Sequence, residues 1–386
     1  MRRKSRRMMH LRLAALALLC AVSGGVCLRL CAPSDGFWQR AGLLGFTFAG
    51  SPRAAGRTLE LWLEQKDESS SEKMTQQGSI AQQVQTGLPE RGEPQSEVPA
   101  PYDPVSGLHS TELQAPIVQP DWLAVKEVAY PDTGAGERYI PLAAGSIRNL
   151  TAYPAQQVRE IIAQDGLPFA VELDSAEPQV LIMHTHATEC YAEADGWVSP
   201  QNNGRTTDPA ANMVAVGAEM AEALNAAGIC TVQDVTLHDH PSYNGSYGRS
   251  RTTVEEWLAA YPSIRIVLDV HRDAIETDGV RIKPTAVIGG RKAAQLMIIS
   301  GADDGTMGMP EFRQNLRFAA ALQAAVESTY DGLTRPVLFD YRNYNQQLTT
   351  GSLLLEIGGH GNTLEEAKYT ARLVGQALAQ LLRENA

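Results

Sequence analysis

The stretch "QVLIMHTHATECY", residues 179–191, runs four apolar residues, Val180 to Met183, straight into two histidines and a glutamate. A short unbroken apolar run is the pattern of a strand buried on both faces, and such strands belong to parallel sheets covered by helices. Packing alone gives no reason for His184, His186 and Glu189 to follow it. In open α/β sheets, ligands bind beyond the carboxyl ends of the strands. The stretch therefore points to a fold and to the place in that fold where chemistry belongs.

Two more apolar runs end in the same way. "IRIVLDV" (264–270) leads into His271-Arg272-Asp273, and "SLLLE" (352–356) ends in Glu356. Between and around them, strand and helix patterns alternate. "DPAANMVAVGAEMAEALNAAGI" (208–229) predicts a helix with Asp208 as N-cap, Pro209 at its first position and Gly228 as its stop. "SRTTVEEWLAAYP" (250–262) predicts a helix opened by Ser or Thr, and "PEFRQNLRFAAALQAAVESTY" (310–330) a long one opened by proline. "CTVQDVT", "TAVIGG", "QLMIISG" and "PVLFDYR" read as strands, the middle two joined by a short basic turn. The closing helix begins at Thr363, with Glu366 at capping-box spacing. The expected fold is α/β: a mainly parallel central sheet with helices on both faces.

Upstream of residue 176 the character changes. Residues 120–175 read as a lead-in segment, a short strand and then a helix in "SIRNLTAYPAQQVREIIAQDGL". Residues 33–119 read as a largely disordered tether, since from Gln65 onward Ser, Gln, Glu and Pro dominate and too little apolar surface is present to offset the entropy of ordering. Residues 1–32 carry five positive charges in the first seven positions, then sixteen uncharged residues from Leu13 to Leu28. That layout is an export signal or a membrane anchor with its basic end in the cytosol. Flanking Arg12 and Arg29 can extend a span somewhat short of ~20 residues, so an uncleaved anchor is the expectation, with a single-pass protein whose remaining chain is outside the cytoplasm. A cleaved signal peptide is the alternative. Net charge is −11 with no basic stripe beyond the N-terminus, which argues against a nucleic-acid partner. The five cysteines show no metal or redox spacing, and Cys190 and Cys230 read as unpaired thiols.

If the three strands are neighbours, their ends bring His186, Glu189, His271 and Glu356 together. A catalytic zinc takes three protein ligands and leaves a fourth position open, and two histidines with one glutamate are a standard set. His186, Glu189 and His271 are thus candidate metal ligands, and Glu356 is left as the proton acceptor. Bland readings stand beside these. His271 would serve as a core histidine, and Glu356 as a carboxylate paired with Arg272. His184, two positions before His186, faces the same way in an extended strand, as a supporting residue or as the true ligand. Asp208 is an alternative to Glu189. Arg272 is a candidate for oxyanion stabilisation, and Tyr243, Asn244 and Tyr247, in the polar, aromatic stretch 237–251, for substrate contact; the same stretch also reads as an ordinary loop with His238 and His240 in solvent.

Taken in order, "VLIMHTHATECY", "YNGSYGRS", "IVLDVHRDA" and "LLLEIGGHGNTLEEA" closely resemble the stage II sporulation protein P family, over roughly residues 120–386. The resemblance implies a fold similar to that of zinc-dependent N-acetylmuramoyl-L-alanine amidases. It implies a peptidoglycan amidase, with endopeptidase activity on the stem peptide, anchored in the mother-cell membrane and working during engulfment with stage II sporulation proteins D and M. It assigns His186 and His271 as ligands and Glu356 as the catalytic glutamate, and leaves the carboxylate ligand open between Glu189 and Asp208. Cys190 stands where the family has serine, and Gly361 where it has aspartate. A catalytically inactive cell-wall or partner-binding module and a zinc peptidase are the competing readings.

Overall fold

The structure is a computed structural model that describes residues 117–386. The anchor expected at 1–32, and all but the last three residues of the tether at 33–119, lie outside the described residues. In chain order the elements are β1 (Leu123–Ala124), β2 (Lys126–Val128), β3 (Tyr139–Pro141), β4 (Ser146–Asn149), α1 (Ala155–Ile162), β5 (Val180–Met183), β6 (Trp197–Val198), α2 (Met213–Ala226) and β7 (Thr231–Gln233). There follow α3 (Ser246–Ala260), β8 (Ile266–Asp273), β9 (Glu276–Thr277), β10 (Val280–Ile288), β11 (Arg291–Ala294), β12 (Leu296–Gly301), α4 (Phe312–Thr329), β13 (Val337–Asp340), β14 (Gly351–Gly359) and α5 (Leu364–Glu384). Among the described residues, no helix is long and apolar enough to cross a membrane.

Eight strands form the central sheet, in the order β3-β4-β13-β12-β14-β8-β5-β7. Five of its seven neighbour pairs are parallel, and β3–β4 and β12–β14 are antiparallel. The fold is α/β, as the alternating patterns indicate. The three strands that end in polar clusters are indeed adjacent: β14 pairs with β8, and β8 with β5.

The reversal at β12 has a simple cause. No crossover helix separates β8 from β12; the chain instead makes the short β9 and the β10–β11 hairpin and re-enters the sheet from the edge where β8 ended. Parallel pairing needs a crossover that this segment lacks. The stretch "TAVIGG" accordingly lies in β10, in a separate four-stranded sheet of β11, β10, β2 and β9, rather than in the central one. Lys283 of β10 is fully buried and ties this sheet to the core, its Nζ donating to Asp195 Oδ1 (2.5 Å) and to Glu366 Oε1 (2.6 Å).

Alternation along the strands assigns the two faces. Val180, Ile182, Ile266, Leu268, Val270, Leu353, Leu355 and Ile357 pack into the large core with residues of α1, α2, α4 and α5. Leu181, Met183 and Val267 face the other way, into a small cluster with Val254 and Trp257 of α3. One face therefore carries four helices and the other only α3. By the same period of two, Asp269, His271 and Glu356 fall on the α3 face.

Local signals hold in part. Thr363 and Glu366 form the expected capping box on α5, and Gly228 takes φ +80 just past α2. The α2 cap differs: the helix opens at Met213, and Asn212 is the N-cap, its side chain accepting from Val214 N. Asp208 is exposed and caps only a turn, accepting from Ala210 N at 2.9 Å. Helix α3 begins at Ser246 behind Gly245 in a left-handed conformation, with no Ser or Thr cap.

Candidate active site

Glu356 and His271 are register partners across β14 and β8, so their side chains leave the same face side by side. On the other side of β8, the chain leaving β5 turns and brings His186 over the strand end. The His186 and His271 rings stand perpendicular, 5.2 Å between centroids. Glu189 closes the group, with Oε2 3.7 Å from His271 Nδ1. Two ligands on one tetrahedral zinc, each at about 2.0–2.1 Å, stand roughly 3.4 Å apart, so this pair is spaced nearly as one ion would hold it. Among the described residues, no group of three or more His, Cys, Asp or Glu side chains already stands at metal-holding distances; closing onto one ion would draw the two rings together. Two atoms here are buried without a partner, His186 Nδ1 and Glu356 Oε2; His271 Nε2 makes no aligned hydrogen bond but is turned to Asp269, 2.7 Å away. Buried polar atoms are ordinarily satisfied, and nitrogen and carboxylate donors left over at one strand edge fit a divalent zinc. His186, Glu189 and His271 would hold it.

The surrounding residues fix these donors. His271 Nε2 lies 2.7 Å from Asp269 Oδ1, close but off the hydrogen-bonding direction, which leaves Nδ1 turned to Glu189. Asp269 is itself anchored by Thr185, which donates from N (2.8 Å) and Oγ1 (2.7 Å). A carboxylate behind a metal-bound histidine sets its tautomer and orientation. His184 is fully buried, with Nδ1 2.9 Å from Val270 O and Nε2 2.9 Å from Gln233 Nε2. Both its nitrogens are engaged, which places it behind the cluster and not in it. Arg272 directs Nε to Cys190 O (3.0 Å) and Nη2 to Gly204 O (2.7 Å), while its backbone N meets Glu189 Oε2 at 3.3 Å. It clamps the turn that carries Glu189; the guanidinium engages backbone carbonyls and not Glu356.

Charges follow from these contacts. Burial raises Glu189, but His271 and Arg272 outweigh it and hold the carboxyl down at about 2. Burial lowers His271, but Asp269 and Glu189 hold it well above its ordinary value. His186 and His184 are lowered to about 4, chiefly by burial. Glu356 is raised to about 8 by burial, only partly offset by His271. In the metal-free fold Glu189 is thus ionised while Glu356 holds its proton more tightly; a divalent cation beside it would draw that proton off and leave a carboxylate able to accept one.

Of the expected substrate residues, Tyr243 stacks on His186 at 4.5 Å and is about half exposed, and Tyr247 meets the same ring edge-on at 5.4 Å. Asn244 is exposed, and its backbone O accepts from Arg249. Asp208 stays outside the cluster, capping an exposed turn. His240 is exposed, whereas His238 is buried between His184 O and Thr253 Oγ1. Three contributors went unforeseen. Asp269 carried a usable signal, since it sits two residues before His271 in a strand and so shares its face. Arg205 and Asp239 carried none. Arg205 lies over the Tyr243 ring at 4.8 Å, 3.8 Å from Glu189, and pairs with Asp239, whose carboxylate also accepts from Thr188 N and Oγ1. Cys190 and Cys230 are both free thiols.

Comparison with known proteins adds the following. The family model described as stage II sporulation protein P matches residues 59–379. Stage II sporulation protein P of Bacillus subtilis (strain 168) is 30% identical over 250 residues, a match that takes in 60% of this chain and 58% of that protein. The chain thus matches little more than half the length of that curated relative. Similar solved structures include the N-acetylmuramoyl-L-alanine amidase AmiC2 of Nostoc punctiforme, at 13% identity and a TM-score of 0.33, over 54% of this chain and 97% of that one. Another is the CwlD amidase from Clostridioides difficile in complex with the GerS lipoprotein, at 10% identity and a TM-score of 0.35, over 53% of this chain and 99% of that one.

Proposed function

The chain belongs to the stage II sporulation protein P family, and from that premise we propose that it is a peptidoglycan hydrolase of sporulation, a zinc-dependent N-acetylmuramoyl-L-alanine amidase with endopeptidase activity on the stem peptide. The observation that carries this reading is the convergence of His186, Glu189, His271 and Glu356 at the ends of three adjacent strands, with buried donor atoms left unpaired. Family membership supports the remaining elements: an N-terminal membrane anchor, work in septal thinning and engulfment, and partnership with stage II sporulation proteins D and M.

In this reading each residue has a task. Zinc, when bound, supplies Lewis acidity that polarises a scissile carbonyl and acidifies water. Glu356 takes the proton of the attacking water on Oε2, the atom without another partner, and passes it to the leaving amine. Asp269 fixes His271, His184 supports the strand end beneath His186, and Arg272 holds the turn that presents Glu189. Tyr243 and Tyr247 shield the His186 ring and wall the entry.

Digestion of purified peptidoglycan by the full chain, followed by analysis of the released fragments, tests the reading. The expected product is free stem peptide beside intact glycan. Loss of cross-links alone assigns an endopeptidase, and unchanged peptidoglycan overturns the hydrolase reading in favour of a binding module. His186→Ala and His271→Ala should each lower the zinc content; full zinc retention in both would remove the ligand assignment.

A further inference from the structure

Arg335 stands just ahead of β13 and is only 7% exposed. Its backbone N donates to Leu296 O (2.8 Å), and Leu296 is the register partner of Ile357, so the residue sits at the sheet edge where β14 and β8 end. Its Nη1 donates to Asp273 Oδ2 at 2.9 Å, and Asp273 closes β8 opposite Gly359. Asp273 follows His271 by two positions in that strand, so the two side chains leave the same face. The guanidinium therefore reaches the face that carries Glu356, and with Asp273 it acts electrostatically on the Glu356 carboxyl. Its other two nitrogens, Nε and Nη2, are buried and have no partner. They form one edge of the planar group, the edge on which a guanidinium takes both oxygens of a carboxylate side by side. Among the described residues, Asp273 is the one acid paired with Arg335, and at 27% side-chain exposure it places the pair just beneath the surface. The Tyr130 ring, 6.0 Å from Arg335 Cζ, is a loose cover from the lead-in segment.

We infer that the Nε–Nη2 edge of Arg335 seats a carboxylate of the stem peptide beside Glu356, with Asp273 holding the guanidinium in place. This deepens the peptidoglycan reading above and rests on it. Buried donors are ordinarily satisfied, and two parallel N–H groups on one edge match the two oxygens of a carboxylate. A sugar hydroxyl or a single carbonyl would fill one donor and leave the other empty. The surroundings add positive charge: His360, whose backbone N donates to Asp273 O, is lowered to about 4, by burial first and then by Arg272 and Arg281. The lactyl carboxyl of the glycan is consumed in its amide bond to the stem, whereas the stem peptide carries free carboxylates. Arg335 thus reads the peptide side of the scissile bond.

The test is calorimetric binding of the full chain to two probes: free stem peptide with its carboxyls intact, and the same peptide with them converted to primary amides. The acid should bind about ten- to hundredfold more tightly, the range of hydrogen bonds to a charged group. Arg335→Met keeps much of the side-chain bulk, removes the edge and should bring the two affinities together. Arg335→Lys keeps the charge without the two-nitrogen edge and should recover only part of the difference. Should the methionine variant fold poorly, the lysine variant and the acid-to-amide ratio of the wild type carry the test. Equal affinities in the wild type would mean that only ordered water meets this edge, and would overturn the proposal. A preference for the acid that survives intact in Arg335→Met or Arg335→Lys overturns it as well. An Arg335-dependent preference in a chain that releases nothing from peptidoglycan would leave this inference standing and remove only the hydrolase reading; release of stem peptide without the preference does the reverse.

Discussion

Two glutamates 167 positions apart in the chain are shifted in opposite directions in the metal-free fold, and each yields a prediction. Glu356→Gln keeps shape but loses the ability to take a proton. It should retain zinc and peptidoglycan binding while turnover falls ~10²–10⁴-fold, the usual loss for a general base. Glu189→Gln removes a charged donor and should instead lower the zinc content; zinc analysis beside turnover separates the two, and the reverse pattern would exchange the roles. The same groups set a pH dependence in the metal-free protein. Glu356, raised to about 8 from 4.5, keeps its proton in the fold after the unfolded chain has released its own, so stability falls as pH rises between those values. His271, held above 6.5, adds to that slope above pH 6.5. Lowered to about 4, His184, His186 and His360 act oppositely below 6.5, where the unfolded chain holds the extra protons. Melting temperature of the metal-free chain should therefore drop from pH 6.5 to 8, and Glu356→Gln should flatten part of the drop. A flat wild-type profile would show that Glu356 is not buried as described.

At the scale of elements, what the sequence made legible was whatever local pattern controls. The apolar runs of β5, β8 and β14 identified three strands whose ends carry the donors, and the Thr363 capping box located the start of α5. The small sheet around β10 and the antiparallel β12 were not legible, because pairing partners far apart in the chain decide them. The α2 start was misplaced at Asp208 because both Asp208 and Asn212 are good caps, and tertiary packing chose the later one. Gly217 within α2 is a case where packing overrides propensity. A Cβ there would stand 2.5 Å from Gln233 Nε2 and 2.6 Å from His184 Nε2, atoms held by hydrogen bonds. The helix gains up to ~1 kcal/mol from Gly→Ala, but overpacking typically costs ~1–3 kcal/mol. Gly217→Ala should be net destabilising in denaturant unfolding and should disturb His184, lowering zinc affinity as well. A stabilised variant would mean that the helix yields freely at this point.

On the scale of the whole described region, the uneven cover of the sheet explains where the site lies. Four helices close one face, and the other is left to α3 and the loop bearing Tyr344, so the polar strand ends on that side lie under the thinner cover. The first pairings of the region have another consequence, a mechanical one. Strands β1 and β2 are two and three residues long and mostly exposed, and they pair only with β6 and β10. Strand β3 is the first that belongs to the central sheet. Tension applied at the N-terminal side would meet the two weak pairings in turn before it loads the sheet. Pulled by residue 117 against the C-terminus in an optical trap, the chain should first yield a low-force step of at most roughly 75 Å, the contour of the segment up to Tyr139 at about 3.4 Å per residue less the distance it already spans in the fold. The main rupture should come later and at higher force. The segment acts as slack in series with the fold: a protein held by this end could be tugged by tens of ångströms while the strand ends that carry the histidines stay in register.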